Sequence, residues 1–224
     1  MSDKKGRELL TVLGKPHTGK TTLLKKWLID KLKKPVFIVD PQDEFGNIKG
    51  ATVWNTFDEF YKQFTKALLD SKIKFGKIHV FKVRNEYQAK KVFTFAAYHG
   101  GECSLIVDEV DRFMSKHKTD EALHEILHYG AHNGISLATT SRRIQNIHND
   151  LLAFSEYVLS FAQTWGPDEE KFLKAAGSSK GLKGLKAGEF LCLTQKPEKN
   201  NMGLTNDRVY KLDLKSNKLK EIQK

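Results

Sequence analysis

Two short stretches carry residue types suited to phosphate chemistry. Residues 14–22 read GKPHTGKTT, and residues 104–113 read SLIVDEVDRF. In the first, Gly14, Lys15, Pro16, His17, Thr18, Gly19, Lys20 and Thr21 fit G-x-x-x-x-G-K-[ST], and Thr22 follows. Glycines at this spacing let the backbone curl until successive N–H groups turn inward, a cradle for phosphate oxygens. A helix beginning at the end of the loop adds its N-terminal partial positive charge. Lys20 is then expected to reach β- and γ-phosphates and Thr21 to offer its hydroxyl to Mg²⁺, so ATP and Mg²⁺ are the expected ligands. In the second stretch Asp108 closes an apolar run, where its carboxylate would orient the Mg²⁺ shell through water. Glu109 comes next and would polarise an attacking water as general base. A water-activating glutamate serves hydrolysis rather than transfer to another acceptor.

A different chemistry is written at residues 124–128. HEILH fits H-E-x-x-H, with His124 and His128 one turn apart on a helix, a spacing that binds zinc. The metzincin third-ligand pattern is missing, because His132 comes only four residues after His128. A structural helix face is the expectation here, and His17 is expected to be exposed rather than catalytic. Cys103 and Cys192 are the only cysteines, and both lie in apolar runs where they should act as small buried hydrophobes.

Such residues need a scaffold, and the hydrophobic pattern supplies one. Apolar runs that read as buried strands are ELLTVLG (8–14), PVFIVD (35–40), KIHVFKV (77–83), CSLIVDE (103–109), ISLATT (135–140) and YVLSF (157–161). Between them stand segments of helical spacing. TTLLKKWLIDKLKK (21–34) places Leu23, Leu24, Trp27, Leu28 and Leu32 together, and FDEFYKQFTKALLD (57–70) places Phe57, Phe60, Phe64 and Leu68 on one face. EYQAKKVFTFAAYHG (86–100), TDEALHEILHYG (119–130) and DEEKFLKAA (168–176), the last ending at Gly177, complete the set. Strand and helix in alternation predict an α/β fold with a mostly parallel central sheet flanked by helices. FLCLTQ (190–195) and DRVYKLDL (207–214) have no helix between them and predict a C-terminal edge hairpin. With no repeat and no linker, residues 1–224 read as one domain, its core at about 8–195 and a C-terminal strand and basic tail at 196–224.

Charge points to the partner. Lys and Arg total 38 against 27 Asp and Glu, a net charge of +11, so a polyanion is expected, nucleic acid first and anionic membrane second. No apolar run is long enough to span a bilayer or form a signal peptide, so a soluble intracellular protein is expected.

The assembled blocks resemble the HerA/FtsK superfamily of P-loop DNA-pumping ATPases. The likeness rests on GKPHTGKTT, on FIVDPQDEF (37–45), on LIVDEVDRF (105–113), and on YGAHNGISLATTSRRIQNIHNDLLAFSEYVLSF (129–161). LKGLKAGEFLCL is similar to the family's closing glycine-glutamate strand. The resemblance implies a RecA-like (ASCE) P-loop NTPase sheet and a homo-oligomeric ring, usually a hexamer, that threads double-stranded DNA with ATP between subunits. It implies that Thr140 and Ser141 form a polar sensor region near the γ-phosphate. Arg142 stands where many members have glutamine, Arg143 matches the family arginine, and Ile144 replaces a proline. Ala131 occupies the place of an arginine in the family's G-R-H-x-G turn. A finger acting in trans would therefore come from Arg142, Arg143 or Arg112.

Small single-domain members of this superfamily are typical of viruses with double-jelly-roll capsids and internal membranes. The resemblance thus implies a motor that packages a viral genome into a preformed capsid, in the host cytoplasm or the virion, with capsid or inner-membrane proteins as partners. A cellular HerA-like helicase, a plasmid-transfer motor and a Zot-like phage export ATPase are the alternatives it admits. Ring motors hold DNA on loops facing the pore, which nominates the basic segment after the acidic strand end: Arg112, Lys116 and Lys118.

Overall fold

The computed structural model describes residues 7–70, 75–163, 166–176, 181–182, 184–194, 196 and 200–222. In chain order the strands and helices are β1 (Leu9–Leu13), α1 (Lys20–Leu23, continuing as a π-helical turn over Leu24–Leu28), β2 (Val36–Asp40), β3 (Ala51–Trp54), α2 (Phe57–Leu69), β4 (Ile78–Lys82), α3 (Glu86–Tyr98) and β5 (Ser104–Val107). There follow β6 (Met114–Ser115), β7 (Lys118–Thr119), α4 (Glu121–Tyr129), β8 (Ser136–Ser141), α5 (Asn149–Phe154), β9 (Tyr157–Phe161), α6 (Gly166–Ala176), β10 (Glu189–Thr194), β11 (Arg208–Asp213) and β12 (Lys218–Ile222). Interleaved segments build two compact units. One takes Arg7, residues 32–108 and 120–137; the other takes residues 8–31, 109–119 and 138 onward.

The first unit carries parallel strands in the order β5-β2-β4-β3. All five residues of β2 are buried, as a strand covered on both faces requires. Its helices start on side-chain caps. Thr56 accepts the Glu59 N–H at 3.2 Å, Asn85 the Gln88 N–H at 3.0 Å, and Asp120 the Ala122 and Leu123 N–H groups. Each such cap stabilises a helix by about 1 kcal/mol. Phe37, Phe60, Phe81 and Phe95 meet in a buried aromatic cluster, with Phe60 5.0 Å from both Phe81 and Phe95. The expected face of α2 is corrected at one end. Phe60 is fully buried but Leu68 is 70% exposed, because the last turn of α2 runs past its packing partners. The strand β3 had no periodic signal; its residues are half-buried or exposed.

In the second unit the order is β12-β11-β10-β9-β1-β8. β1 and β9 pair in parallel, whereas β9-β10, β10-β11 and β11-β12 are antiparallel. The expected edge hairpin is therefore one half of a meander, which β12 extends into the basic tail. The helix expected over 21–34 ends earlier, with Lys31 N–H turning back to Leu28 O at 2.8 Å. Pro35 disfavours helical backbone at Lys34, so the chain leaves the helix ahead of it. A short hairpin, β6-β7, stands where only a loop was expected. Gly177 and Gln195, expected to end α6 and the strand at 190–195, lie outside the described residues.

Candidate nucleotide site

The end of β1 runs into the glycine-lysine loop, and neighbouring strand ends hold that loop in place. Gly14 N–H donates to Ser141 O at 3.2 Å and Lys15 N–H to Ala162 O at 3.1 Å. Gly14 has a φ of 151°, and a Cβ there would sit 2.7 Å from the Phe161 Cβ, so no other residue fits. Gly19, with a φ of 112°, opens α1. Lys15, Pro16, His17 and Thr22 are exposed; Gly14 and Thr18 are buried; Gly19, Lys20 and Thr21 are intermediate. His17 is thus exposed as expected, at a positive φ of 61°. The loop is braced from inside by Thr18 Oγ1, which donates to Lys15 O at 2.8 Å. It is braced from outside by Gly188 N–H, which donates to Thr18 O at 3.0 Å. Lys20 folds back on its own loop, its Nζ donating to Gly14 O at 2.7 Å and Lys15 O at 3.1 Å. The Lys20 ammonium thus lies against the carbonyls of Gly14 and Lys15, at the turn of the loop.

Glu109 belongs to the same unit, two residues after the end of β5. Its backbone is left-handed, with φ 49° and ψ 54°, which costs a non-glycine residue on the order of 1 kcal/mol. Its N–H donates to Thr140 Oγ1 at 3.0 Å. Two successive residues of β8 thus grip both pieces of the site: Thr140 holds Glu109, and Ser141 holds Gly14. Polar residues buried along β8 continue the pattern, since Thr139 Oγ1 lies 3.0 Å from Thr11 Oγ1, which lies 2.7 Å from Ser155 Oγ. Ser141 Oγ lies 3.0 Å from Asp111 Oδ1 and 3.1 Å from Arg143 O, and its one proton serves one or the other. Asp108 is buried at 4% exposure in the other unit, its N–H donating to Val39 O at 3.1 Å.

The arginines separate by role. Arg143 Nε pairs with Asp168 Oδ2 at 2.9 Å, and Gln145 N–H donates to the other carboxylate oxygen at 3.2 Å. Asp168 is 1% exposed, so Arg143 ties α6 down within its own chain. Arg142 pairs with Glu109 Oε1, and Arg112 lies 3.9 Å from Glu109 Oε2. Arg112, nominated for DNA, thus also faces the expected base. Lys116 and Lys118 are exposed on the β6-β7 hairpin, with Lys116 and His117 at its tip. A bridge from Ser115 to Ile147 and the His148 N–H bond to Met114 O anchor this hairpin. Lys171 adds to the same positive field: burial first, and then the Lys116 charge, lowers its pKa.

Gly188 and the partners Asp111 and Asp168 were not singled out from sequence. For Gly188 the signal was present in the glycine-glutamate pair before β10; for the aspartates there was none. In α4 the buried face is Ala122, Leu123, Ile126 and Leu127, while His124 and His128 stack on each other with ring centroids 4.0 Å apart. Cys103 and Cys192 are buried, and burial pushes the Cys103 thiol up to about 12 and that of Cys192 higher still. Among the described residues no helix is long and apolar enough to cross a membrane.

No protein-family model and no curated protein sequence matches the chain. Solved structures do match. The genome packaging NTPase B204 from Sulfolobus turreted icosahedral virus 2, in complex with AMPPCP, superposes with a TM-score of 0.68 at 19% identity, over 96% of this chain and 97% of that one. B204 of Sulfolobus turreted icosahedral virus, a DNA-packaging ATPase, gives 0.66 at 20% identity, over 96% and 97%. VirB4 of Thermoanaerobacter pseudethanolicus gives 0.58 at 14% identity, over 88% and 89%. The chain therefore has the α/β fold of these NTPases, mostly parallel in its sheet and matched over nearly the whole length of the viral ones.

Proposed function

We propose that the chain is an ATP hydrolase that drives double-stranded DNA, and that its work is packaging a viral genome into a preformed capsid. The observation that carries this reading is the grip of Thr140 and Ser141 on Glu109 and Gly14, which sets a general base and a phosphate loop on adjacent residues of one strand. Near full-length likeness to a packaging NTPase that takes AMPPCP supports the choice of substrate and of task.

The roles follow from the geometry. The loop Gly14–Thr22 receives the triphosphate, and Lys20 exchanges its loop carbonyls for phosphate oxygens. Thr21 and Asp108 are the residues whose chemistry suits Mg²⁺, which supplies charge neutralisation at the β- and γ-phosphates. Glu109 takes the proton of the attacking water. Thr140 and Ser141 position Glu109 and the loop. Arg143 is engaged with a buried carboxylate, so of the three finger candidates Arg142 and Arg112 are the better placed to respond to nucleotide. A homo-oligomeric ring, such as a hexamer, with capsid or inner-membrane proteins at the vertex, is the assembly this function would use in the host cytoplasm or virion.

DNA is assigned to the basic hairpin. Linear duplex DNA is expected to stimulate turnover, with stimulation falling steeply as salt rises, because phosphate contacts release counterions. Replacing Lys116 and Lys118 together by Glu is expected to raise the DNA concentration for half-stimulation at least about tenfold at low salt, leaving DNA-free turnover unchanged. Stimulation that ignored salt, or that survived the double replacement, would remove the hairpin from the DNA path.

A further inference from the structure

The exposed faces of α2 and α3 carry aromatic side chains that lie outside the core. On α3, Tyr87, Lys91, Thr94 and Tyr98 stand at i, i+4, i+7 and i+11, which is one stripe down the helix. On α2, Tyr61 and Leu68 stand two turns apart on one face. Tyr61 is 51% exposed and Tyr87 65%. Between the two helices lies a cavity of about 360 Å³, walled by Phe57, Tyr61, Tyr87, Thr94 and Phe95, with Lys90, Lys91 and His99 also lining it. Pockets of this size and apolar character hold ligand groups. Lys91 Nζ donates to Asp58 Oδ1 at 2.8 Å and lies 4.8 Å from the centre of the Tyr87 ring, so one side chain ties α3 to α2 and braces the wall. That pair answers its own charges. Lys90 is exposed and has no ion-pair partner among the described residues. All of these residues belong to the unit that does not carry the phosphate loop.

We propose that this groove docks a segment of a partner protein, which inserts one aromatic side chain into the cavity and sets a carboxylate beside it on Lys90. Nothing in the docking depends on hydrolysis or on DNA. The lining selects the ring. Phe57, Tyr61 and Phe95 offer ring faces and edges to a further ring, and aromatic pairs stabilise beyond the area they bury. An aromatic anchor in a pocket is the usual centre of a protein interface, and exposed tyrosines such as Tyr87 and Tyr98 are the residues enriched around it. Charge selects the neighbour of that ring. Lys91 is answered by Asp58 within the chain, so Lys90 is left for a carboxylate of the partner. The same surroundings disfavour a nucleic-acid strand. Asp58, Glu59 and Glu86 are exposed in the first turns of the two helices and would face a run of phosphates. A polypeptide brings its carboxylates singly, and one unpaired lysine is enough for one of them.

The test is a titration of the full chain, labelled with nitrogen-15, at physiological salt and followed by its amide signals. The probe is a capped peptide with tryptophan between pairs of glutamates. Two controls replace the tryptophan by alanine, or the glutamates by lysines. The tryptophan-glutamate peptide is expected to move the Thr94 and His99 signals with half-saturation below about 1 mM, at least about tenfold below either control. Lys90→Glu is expected to weaken it at least about threefold, the scale of a lost ion pair at an exposed rim. Thr94→Trp, which fills the cavity, is expected to abolish the shifts. Lys90 is exposed, so its exchange leaves the fold intact and decides the matter alone if Thr94→Trp does not fold. Absence of shifts overturns the docking site, and so do equal binding of the tryptophan and alanine peptides or of the glutamate and lysine peptides. Shifts that neither variant reduces overturn it too. A single-stranded oligonucleotide that moved the same signals at lower concentration than the peptide would give the groove to nucleic acid and overturn the protein partner.

Discussion

Lys20→Ala is expected to cut ATP turnover about a hundredfold, and to weaken binding of AMPPCP as well. The size follows from what the ammonium does in both states. In the loop it bridges Gly14 O and Lys15 O at 2.7 and 3.1 Å, drawing the loop around a point of positive charge. With triphosphate present the same group faces the charge that builds as the γ-phosphoryl group leaves. A preorganised donor in that position is worth on the order of a hundredfold in rate. Alanine removes the charge and also the bonds to Gly14 O and Lys15 O, so binding and turnover fall together. Calorimetric titration with AMPPCP beside steady-state turnover measures both. A variant that hydrolysed ATP within about threefold of wild type would place the chemistry elsewhere in the protein.

Glu109→Gln is expected to act differently. Glutamine keeps the size of the side chain and can still meet Arg142, but it cannot take a proton from water. Turnover should fall by between about a hundredfold and ten thousandfold, the usual contribution of a positioned general base. Binding of ATP should remain close to wild type, because glutamine keeps the size of the side chain and leaves the Glu109 N–H bond to Thr140 Oγ1 untouched. The two substitutions thus separate binding from chemistry. If Glu109→Gln kept wild-type turnover, the base would be another group, and the left-handed strain at Glu109 would need a different account.

Much of this site could be read from residue order. The phosphate loop is a local pattern, since its glycines, lysine and threonine act through backbone curvature within a few residues. The places of Asp108 and Glu109 were legible because a buried apolar strand ends just before them, and strand ends of parallel sheets are where functional groups are looked for. The buried strands β1, β2, β5 and β8 announced themselves by their apolar runs, and their helices by spacing and caps. What could not be read depends on contacts between distant residues. Nothing near Arg143 signals Asp168, and nothing near Arg142 signals that its partner is Glu109. The hairpin β6-β7 has two residues per strand, too few for any periodicity, and its form depends on the bridge to Ile147. β3 and β12 are half-exposed edge strands whose residues alternate weakly, so only their neighbours reveal them. The extent of the first helix was overestimated because Leu32 is buried, as the spacing requires, in a segment that is no longer helical.

The most direct test of the central claim is movement along DNA. A linear duplex carrying a labelled third strand near one end reports arrival of a translocating protein as displacement of that strand. Wild type with ATP is expected to displace it, with a delay that lengthens with the duplex, while Glu109→Gln and wild type with AMPPCP leave it bound. Displacement on bare DNA with no capsid protein required for full speed would select the helicase or plasmid-transfer form of the motor. DNA-stimulated hydrolysis with no displacement at any duplex length would contradict translocation itself.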